Sequence, residues 1–274
     1  MILERVADDG AIHVADLARD LRVSEMTIRR DLRRLERDGF LRQTYGGATA
    51  HLTRSFDLSF NARALQHARE KRLIALAAAR LIGDAQALFI GIGTTAEQFA
   101  RSLTVRPDML VITASLPIAS LLGSRPVRVV ATGGTVLRDE LSCVGSAAAA
   151  TLARYRFQVA IIGAAGIEPQ VGVTELTDEE AEIQRTAVAL SDRVIVIADG
   201  SKVGAREMAM VLTAERVDTL VTDASAPSDQ VAGLRALGVT VLIAGAGRDE
   251  PPGVSRSERR IRATTARAAQ GATR

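Results

Sequence analysis

Val23-Ser24-Glu25-Met26-Thr27-Ile28-Arg29-Arg30-Asp31-Leu32-Arg33-Arg34-Leu35-Glu36-Arg37, followed closely by Gly39, reads as one helix with a defined start and stop. Ser24 is a good N-cap, because its hydroxyl can accept a bond from an amide of the first turn. Ile28, Leu32 and Leu35 recur at helical spacing and form an apolar stripe, while Arg29, Arg30, Arg33, Arg34 and Arg37 occupy the other faces. Gly39 suits the position just past a helix end. Working upstream, Val14, Leu17, Ala18 and Leu21 have the i, i+3, i+4, i+7 spacing of a shorter helix, interrupted by Arg22-Val23. Two short helices joined by a tight turn, the second rich in arginine, predict a helix-turn-helix. Working downstream, Phe40 to Ala48 with its Gly46-Gly47 pair predicts a small hairpin, or wing, beside the second helix.

This arrangement suits double-stranded DNA. A helix fits the major groove, and its N-terminal residues reach base edges. Ser24, Glu25, Thr27 and Arg29 are the expected base readers. Arg30, Arg33, Arg34 and the wing residues Tyr45, Gly46 and Gly47 are the expected phosphate contacts, which orient a protein without reading sequence. The bland alternative is a solvated helix face laced with i,i+4 ion pairs; turn, cap and wing together favour DNA.

Charge is distributed accordingly. The formal net charge is only +3, but residues 22–56 carry eight basic and four acidic groups and residues 256–274 carry six and one, around an acidic middle. Of the 35 basic residues only Lys71 and Lys202 are lysines, which makes each worth locating. The single cysteine, Cys143, cannot form an internal disulfide, and the histidines His13, His51 and His67 lack ligand spacing, so neither a metal nor a cofactor is expected. No signal-peptide core and no run of 18 apolar residues occurs, so the chain is expected to be cytoplasmic, with no membrane span.

Val23-Ser24-Glu25-Met26-Thr27-Ile28-Arg29-Arg30-Asp31-Leu32 followed by Gly46-Gly47-Ala48 closely resembles the DNA-binding segment of DeoR-family transcriptional regulators. Family members carry several more residues before the segment like Ile2-Leu3-Glu4, which implies a start codon upstream of Met1.

The remainder reads as α/β. Apolar runs at Ala87–Ile92, Met109–Thr113, Val127–Ala131, Val159–Ile162, Val194–Ala198, Leu220–Thr222 and Val239–Ala244 are the strands of a buried sheet, alternating with helical stretches that begin with Leu65–Ile82. Such alternation predicts a parallel, Rossmann-like sheet with right-handed crossovers, whose ligands sit at the carboxyl ends of the strands. Those ends are polar and glycine-rich: Gly91-Ile92-Gly93-Thr94-Thr95, Thr113-Ala114-Ser115, Gly133-Gly134-Thr135, Gly163-Ala164-Ala165-Gly166 and Asp199-Gly200-Ser201-Lys202. Glycine admits a ligand to the backbone, and helix N-termini hold anions.

The same motifs, with Val144-Gly145, Glu179-Glu180-Ala181-Glu182 and Asp199-x-Ser201-Lys202-x-Gly204, resemble the DeoR-family effector domain, which is similar to ribose-5-phosphate isomerase. The resemblance covers about residues 2–245 and implies a repressor of a carbohydrate-catabolism operon that senses a phosphorylated sugar or similar metabolite. By resemblance Gly93, Thr94 and Thr95 cradle the phosphate, while Ser115, Gly133, Gly134, Thr135, Glu179 and Lys202 line the rest of the pocket. This chain departs from the family at four polar positions: Gly91 and Ile92 replace Asp-Ser, Ala114 replaces Asn and Ala165 replaces Asp. Each lost partner to a buried polar ligand group costs about 1–3 kcal/mol, so either the effector differs or sensing is weakened.

Three alternatives stay open. One is a regulator with a degenerate, non-sensing C-terminal domain. Another is a sugar-phosphate isomerase, for which Glu179, Glu182 and Asp199 are the available carboxylates. The third is nicotinamide dinucleotide binding: Gly91-x-Gly93-x-x-Ala96 fits that fingerprint, but the acidic residue that should close the second strand is missing and Asp108 precedes that strand. The reading carried forward is a winged helix-turn-helix over residues 1–50, a linker over 51–64, a phosphosugar-isomerase-like domain over 65–248, a disordered basic tail over 249–274, no enzymatic activity, and a homodimer or homotetramer matched to paired DNA half-sites.

Overall fold

A computed structural model of the protein describes residues 2, 5, 11–37, 41–49 and 60–245. The expected stop at Gly39, residues 51–59 of the expected linker and the whole basic tail lie outside the described residues. The chain divides near residue 68 into two units.

In the first unit, strand β1 (Ala11–His13) leads into α1 (Val14–Leu21), then α2 (Glu25–Arg37), β2 (Arg42–Thr44) and β3 (Gly47–Thr49). The apolar stripes dock on each other: Val14, Leu17 and Ala18 of α1 and Ile28 and Leu32 of α2 are buried together with Ile12, Leu41 and Ala48. Leu35 is only partly buried against this core. The turn between the helices is made by Arg22 in the left-handed region at φ 54°, with the Val23 amide donating to the Ala18 carbonyl at 3.0 Å. Ser24 caps α2 as expected, its Oγ accepting from the Thr27 amide at 3.1 Å. The strands form an antiparallel sheet in the order β1-β3-β2. The wing turn is Tyr45-Gly46, one residue earlier than the glycine pair suggested, because Gly47 belongs to β3. A Cβ at Gly47 would overlap the Ile12 carbonyl oxygen, so the demand for glycine there comes from close strand packing.

Residues 60–64, expected as linker, lie in α3 (Phe60–Leu65), with Phe60 and Ala62 buried. The helix expected over 65–82 is α4 (Ala68–Ala79), separated from α3 at His67, whose φ is 51°.

The second unit contains all seven strands expected from the apolar runs: β4 (Ala87–Ile90), β5 (Leu110–Thr113), β6 (Arg128–Ala131), β9 (Phe157–Ile162), β12 (Ser191–Ile197), β14 (Thr219–Asp223) and β15 (Thr240–Ala244). They pair in parallel throughout, in the order β15-β14-β12-β9-β4-β5-β6. Successive residues along each strand point to opposite faces and feed two separate cores. Leu88 and Ile90 join Val111, Ile161 and Ile197 on one face, under α4, α5 (Thr94–Ser102) and α6 (Leu116–Gly123). Phe89 joins Ile112, Ile162 and Val196 on the other, under α7 (Ser146–Leu152), α8 (Asp178–Ala189) and α9 (Ser228–Ala236). Burial on both faces explains why these strands read as unbroken apolar runs.

The apolar runs did not announce two smaller sheets. Strands β7 (Thr135–Leu137) and β8 (Ser142–Val144) form an antiparallel hairpin after β6. Strands β10 (Gly166–Glu168), β11 (Gly172–Glu175) and β13 (Ala209–Leu212) form an antiparallel three-stranded sheet packed into the second core. No helix among the described residues is long and apolar enough to cross a membrane.

Candidate DNA interface and effector site

At about 100° per residue, Met26, Arg29, Arg30 and Arg33 fall on the side of α2 opposite Ile28, Leu32 and Leu35. The burial agrees: Ser24, Glu25, Met26, Arg29, Arg30, Arg33 and Arg34 are exposed, whereas Thr27 is half-buried. The Ser24 and Thr27 hydroxyls lie 2.9 Å apart and are bonded to each other. Arg29 Nη2 lies 3.3 Å from Glu25 Oε2. An exposed i,i+4 pair of this kind is weak, so Arg29 can exchange Glu25 for a base edge or a phosphate at little cost. In the wing, Tyr45 is wholly exposed, Gly46 is half-buried and Gly47 is buried in the sheet. Tyr45 is thus a wing side chain that can reach outward.

In the second unit the strand order runs outward from β4 through β5 to β6, then returns to β9 on the other side of β4 and continues outward through β12, β14 and β15. The order therefore reverses between β4 and β9. In open α/β sheets, the crevice beyond the carboxyl ends of the strands at such a reversal is where ligands bind. The loops flanking it are Gly91-Ile92-Gly93 and Gly163-Ala164-Ala165, and they run close together: a Cβ at Gly163 would lie 3.0 Å from the Ile92 carbonyl oxygen, and one at Gly91 would lie 3.2 Å from that of Ile161. Gly93 has φ 100° and opens α5 with no side-chain cap. The amides of Thr94, Thr95 and Ala96 have no acceptor within the helix, so they point a set of donors and the positive helix end at this crevice.

The neighbouring loops bring more of the expected residues to the same sheet edge. Ser115 follows β5 and is buried as the N-cap of α6, accepting from the Ile118 amide at 3.4 Å. The β7–β8 hairpin folds back so that Ser142 bridges Ser115. Gly134 has φ 114°, and a Cβ there would collide with the Val144 carbonyl, so this residue closes the base of the hairpin. Gly133 and Thr135 are exposed beside it. Lys202 is half-buried in the single turn that follows β12, its amide donating to the Asp199 carbonyl at 2.9 Å. Glu179 is exposed in the first turn of α8. The capping residue there is Thr177, whose Oγ1 accepts from the Glu180 amide at 3.3 Å and donates to the Glu180 carboxylate at 2.8 Å, so the acidic partner in the cap is Glu180 and not Glu179.

Three polar groups escaped the motif reading. Ser142 Oγ is fully buried with no hydrogen-bond partner. Asp223, at the end of β14, accepts the Gly200 amide at 2.7 Å and the Ser225 amide at 2.9 Å, and so ties the loop after β12 to its neighbour. Glu175 accepts from Gln184 Nε2 at 2.6 Å in the buried interior. None of the three belongs to a glycine-rich turn, the signal that pointed to the others. Asp199, expected as a possible proton-transfer carboxylate, has its Oδ1 bonded by the Ser201 amide and hydroxyl, so it holds the turn. Burial raises the pKa of Cys143, on β8, and keeps its thiol protonated.

Comparison with known proteins follows the division of the chain. The DeoR-like helix-turn-helix domain matches residues 1–53, and the DeoR C terminal sensor domain matches residues 66–224. The chain is 31% identical over 247 residues to the putative aga operon transcriptional repressor of Escherichia coli O157:H7, covering 89% of this chain and 92% of that protein. The chain belongs to the DeoR family. Other members similar to it are the HTH-type transcriptional regulator GlpR of Haloferax volcanii, 30% identical over 88% of this chain and 94% of that one, and the glycerol-3-phosphate regulon repressor of Escherichia coli K12, 29% identical over 82% and 90%. Within the DeoR-family frame, the four departures now have positions. Ile92, Ala114 and Ala165 are buried apolar residues at the strand ends, and Gly91 lies where a side chain would crowd β9.

Proposed function

We propose that this DeoR-family protein is a cytoplasmic, sequence-specific DNA-binding repressor of a carbohydrate-related operon, released or engaged by a phosphorylated metabolite. The observation that carries the sensing half is the coincidence of the strand-order reversal with the closely apposed Gly91–Gly93 and Gly163–Ala165 loops. A phosphate at the start of α5 would meet the free amides of Thr94 and Thr95, with Lys202 supplying positive charge from the β12 side and Ser115 closing the β5 side. The names of the relatives, which include the aga operon and the glycerol-3-phosphate regulon, support the substrate area. Ile92, Ala114 and Ala165 offer no hydrogen bonds where the family usually has polar side chains. The effector therefore carries an anionic head and presents fewer hydroxyls to the strand ends than the family's usual ligand. The protein acts as a homodimer or homotetramer on paired half-sites, because closed symmetry lets two recognition helices meet successive major grooves.

The test is a thermal-denaturation panel of three- to six-carbon phosphosugars and their unphosphorylated counterparts. A ligand that binds only the folded protein raises the melting temperature in proportion to its concentration over its Kd. Stabilisation by one or more phosphorylated compounds and by none of the unphosphorylated ones supports the proposal. No stabilisation across the panel leaves the second unit without its assigned ligand class.

A further inference from the structure

Among the described residues 11–49, which carry the helix pair and the wing, the large hydrophobic side chains that stay exposed are Val23, Met26 and Tyr45. They lie in the turn before α2, in the first turn of α2 and at the wing tip. Met26 is 77% exposed although four neighbouring apolar positions of the same helix pair, Leu17, Ala18, Ile28 and Leu32, are buried. It cannot be a core residue, since it leads the Arg29–Arg30–Arg33 face opposite the buried stripe. An apolar side chain placed at the leading turn of a cationic face is suited to a surface that is anionic at its rim and apolar at one point in its floor. The major groove of DNA has that chemistry, with phosphates along its edges and the C5-methyl group of thymine inside it. The hydroxyls that would otherwise read bases at this end, those of Ser24 and Thr27, are bonded to each other, and Ser24 also caps the helix.

We infer that Met26 is a specificity-determining residue that reads a thymine methyl group in the operator. This rests on the DNA-binding reading of the first unit and adds to it a base preference and the side chain that sets it. Arg29 and Arg30 flank the contact on the same face, so the thymine lies within reach of their phosphate or guanine contacts. Met26 is 77% exposed and is not among the buried residues of the core, so its replacement is expected to leave the fold intact.

The experiment uses the full chain. Its preferred sequence is enriched from random duplex DNA, and each thymine of that sequence is then replaced singly by uracil, which removes only the methyl group. Loss of one buried methyl contact weakens binding about fourfold. The wild type is expected to show this loss at one or more thymines. Met26→Ala binds the thymine and uracil duplexes alike at that position, Met26→Leu keeps the distinction, and both retain wild-type melting temperature and nonspecific DNA affinity. The inference is overturned if no uracil duplex weakens wild-type binding by twofold, or if the penalty persists in Met26→Ala. Failure to enrich any sequence would instead defeat the DNA-binding reading, and this inference with it.

Discussion

Leu32→Ala tests whether the first unit is held together as described. Leu32 is 1% exposed and sits among Val14, Leu17, Ala18, Ile28, Leu41 and Ala48, in a core of few side chains. Removing its isobutyl group loses transfer free energy and leaves a cavity that a small core closes poorly; such truncations cost about 2–5 kcal/mol. Taking about 3 kcal/mol, the folded-to-unfolded ratio falls about 150-fold. A unit of this size has a stability near the lower end of the roughly 5–15 kcal/mol range, so the loss removes much of its margin. The corresponding drop in melting temperature is about 12–24 °C for a domain of 60–100 residues. The second unit has its own two cores, which share no residue with this one. Circular dichroism and calorimetry on the full chain should therefore show one transition moving down and the other staying in place. Leu35→Ala, at a half-buried position, should cost less than Leu32→Ala. A Leu32→Ala shift below about 4 °C, which corresponds to less than about 1 kcal/mol, or an equal shift of both transitions, would refute the packing argument.

Other consequences are as direct. Arg22→Gly should stabilise the first unit by about 0.5–1 kcal/mol, since a left-handed non-glycine residue is strained and the extra unfolded freedom of glycine offsets only part of the relief; denaturant melts that show destabilisation would contradict the left-handed turn. Cys143, buried and held protonated at neutral pH, should be alkylated by iodoacetamide at least about tenfold more slowly in the native than in the denatured chain, and equal rates would place β8 at the surface. Arg29→Ala should weaken binding to the selected operator and relax its sequence preference, as read by fluorescence anisotropy at fixed salt; unchanged affinity and selectivity would remove Arg29 from the interface.

Much of this was legible in the residues because the signals were local. Ser24, the Ile28–Leu32–Leu35 stripe and the Arg face each declare themselves within one helix, and the seven long strands declare themselves as Val/Ile/Leu runs because both faces are buried. What escaped depends on contacts distant in sequence. The wing turn sits at Tyr45-Gly46 because Gly47 is pressed against the Ile12 carbonyl, more than thirty residues away. The strands of the β7–β8 hairpin and of the β10–β11–β13 sheet are three or four residues long, too short to show a period. α3 is six residues with two buried anchors, Phe60 and Ala62, and no repeat to reveal it. The four glycine-rich turns and Thr113-Ala114-Ser115 were visible one by one, but the return of the chain from β6 to β9, which sets two of them side by side at the crevice, is a property of topology.

The central claim is that a phosphorylated metabolite at that crevice alters the grip of the first unit on DNA. The measurement is operator affinity, by anisotropy at fixed salt, titrated with whichever phosphosugar stabilises the protein. A ligand couples to DNA only if it binds the DNA-competent and incompetent arrangements with different affinity, and coupling of this kind is commonly about 5–150-fold. The account predicts a saturable change of at least about fivefold in the wild type, and a flat response in Thr94→Ala/Lys202→Ala with its metabolite-free DNA affinity intact. A flat wild-type response, or an unchanged dose–response in the double variant, would contradict it.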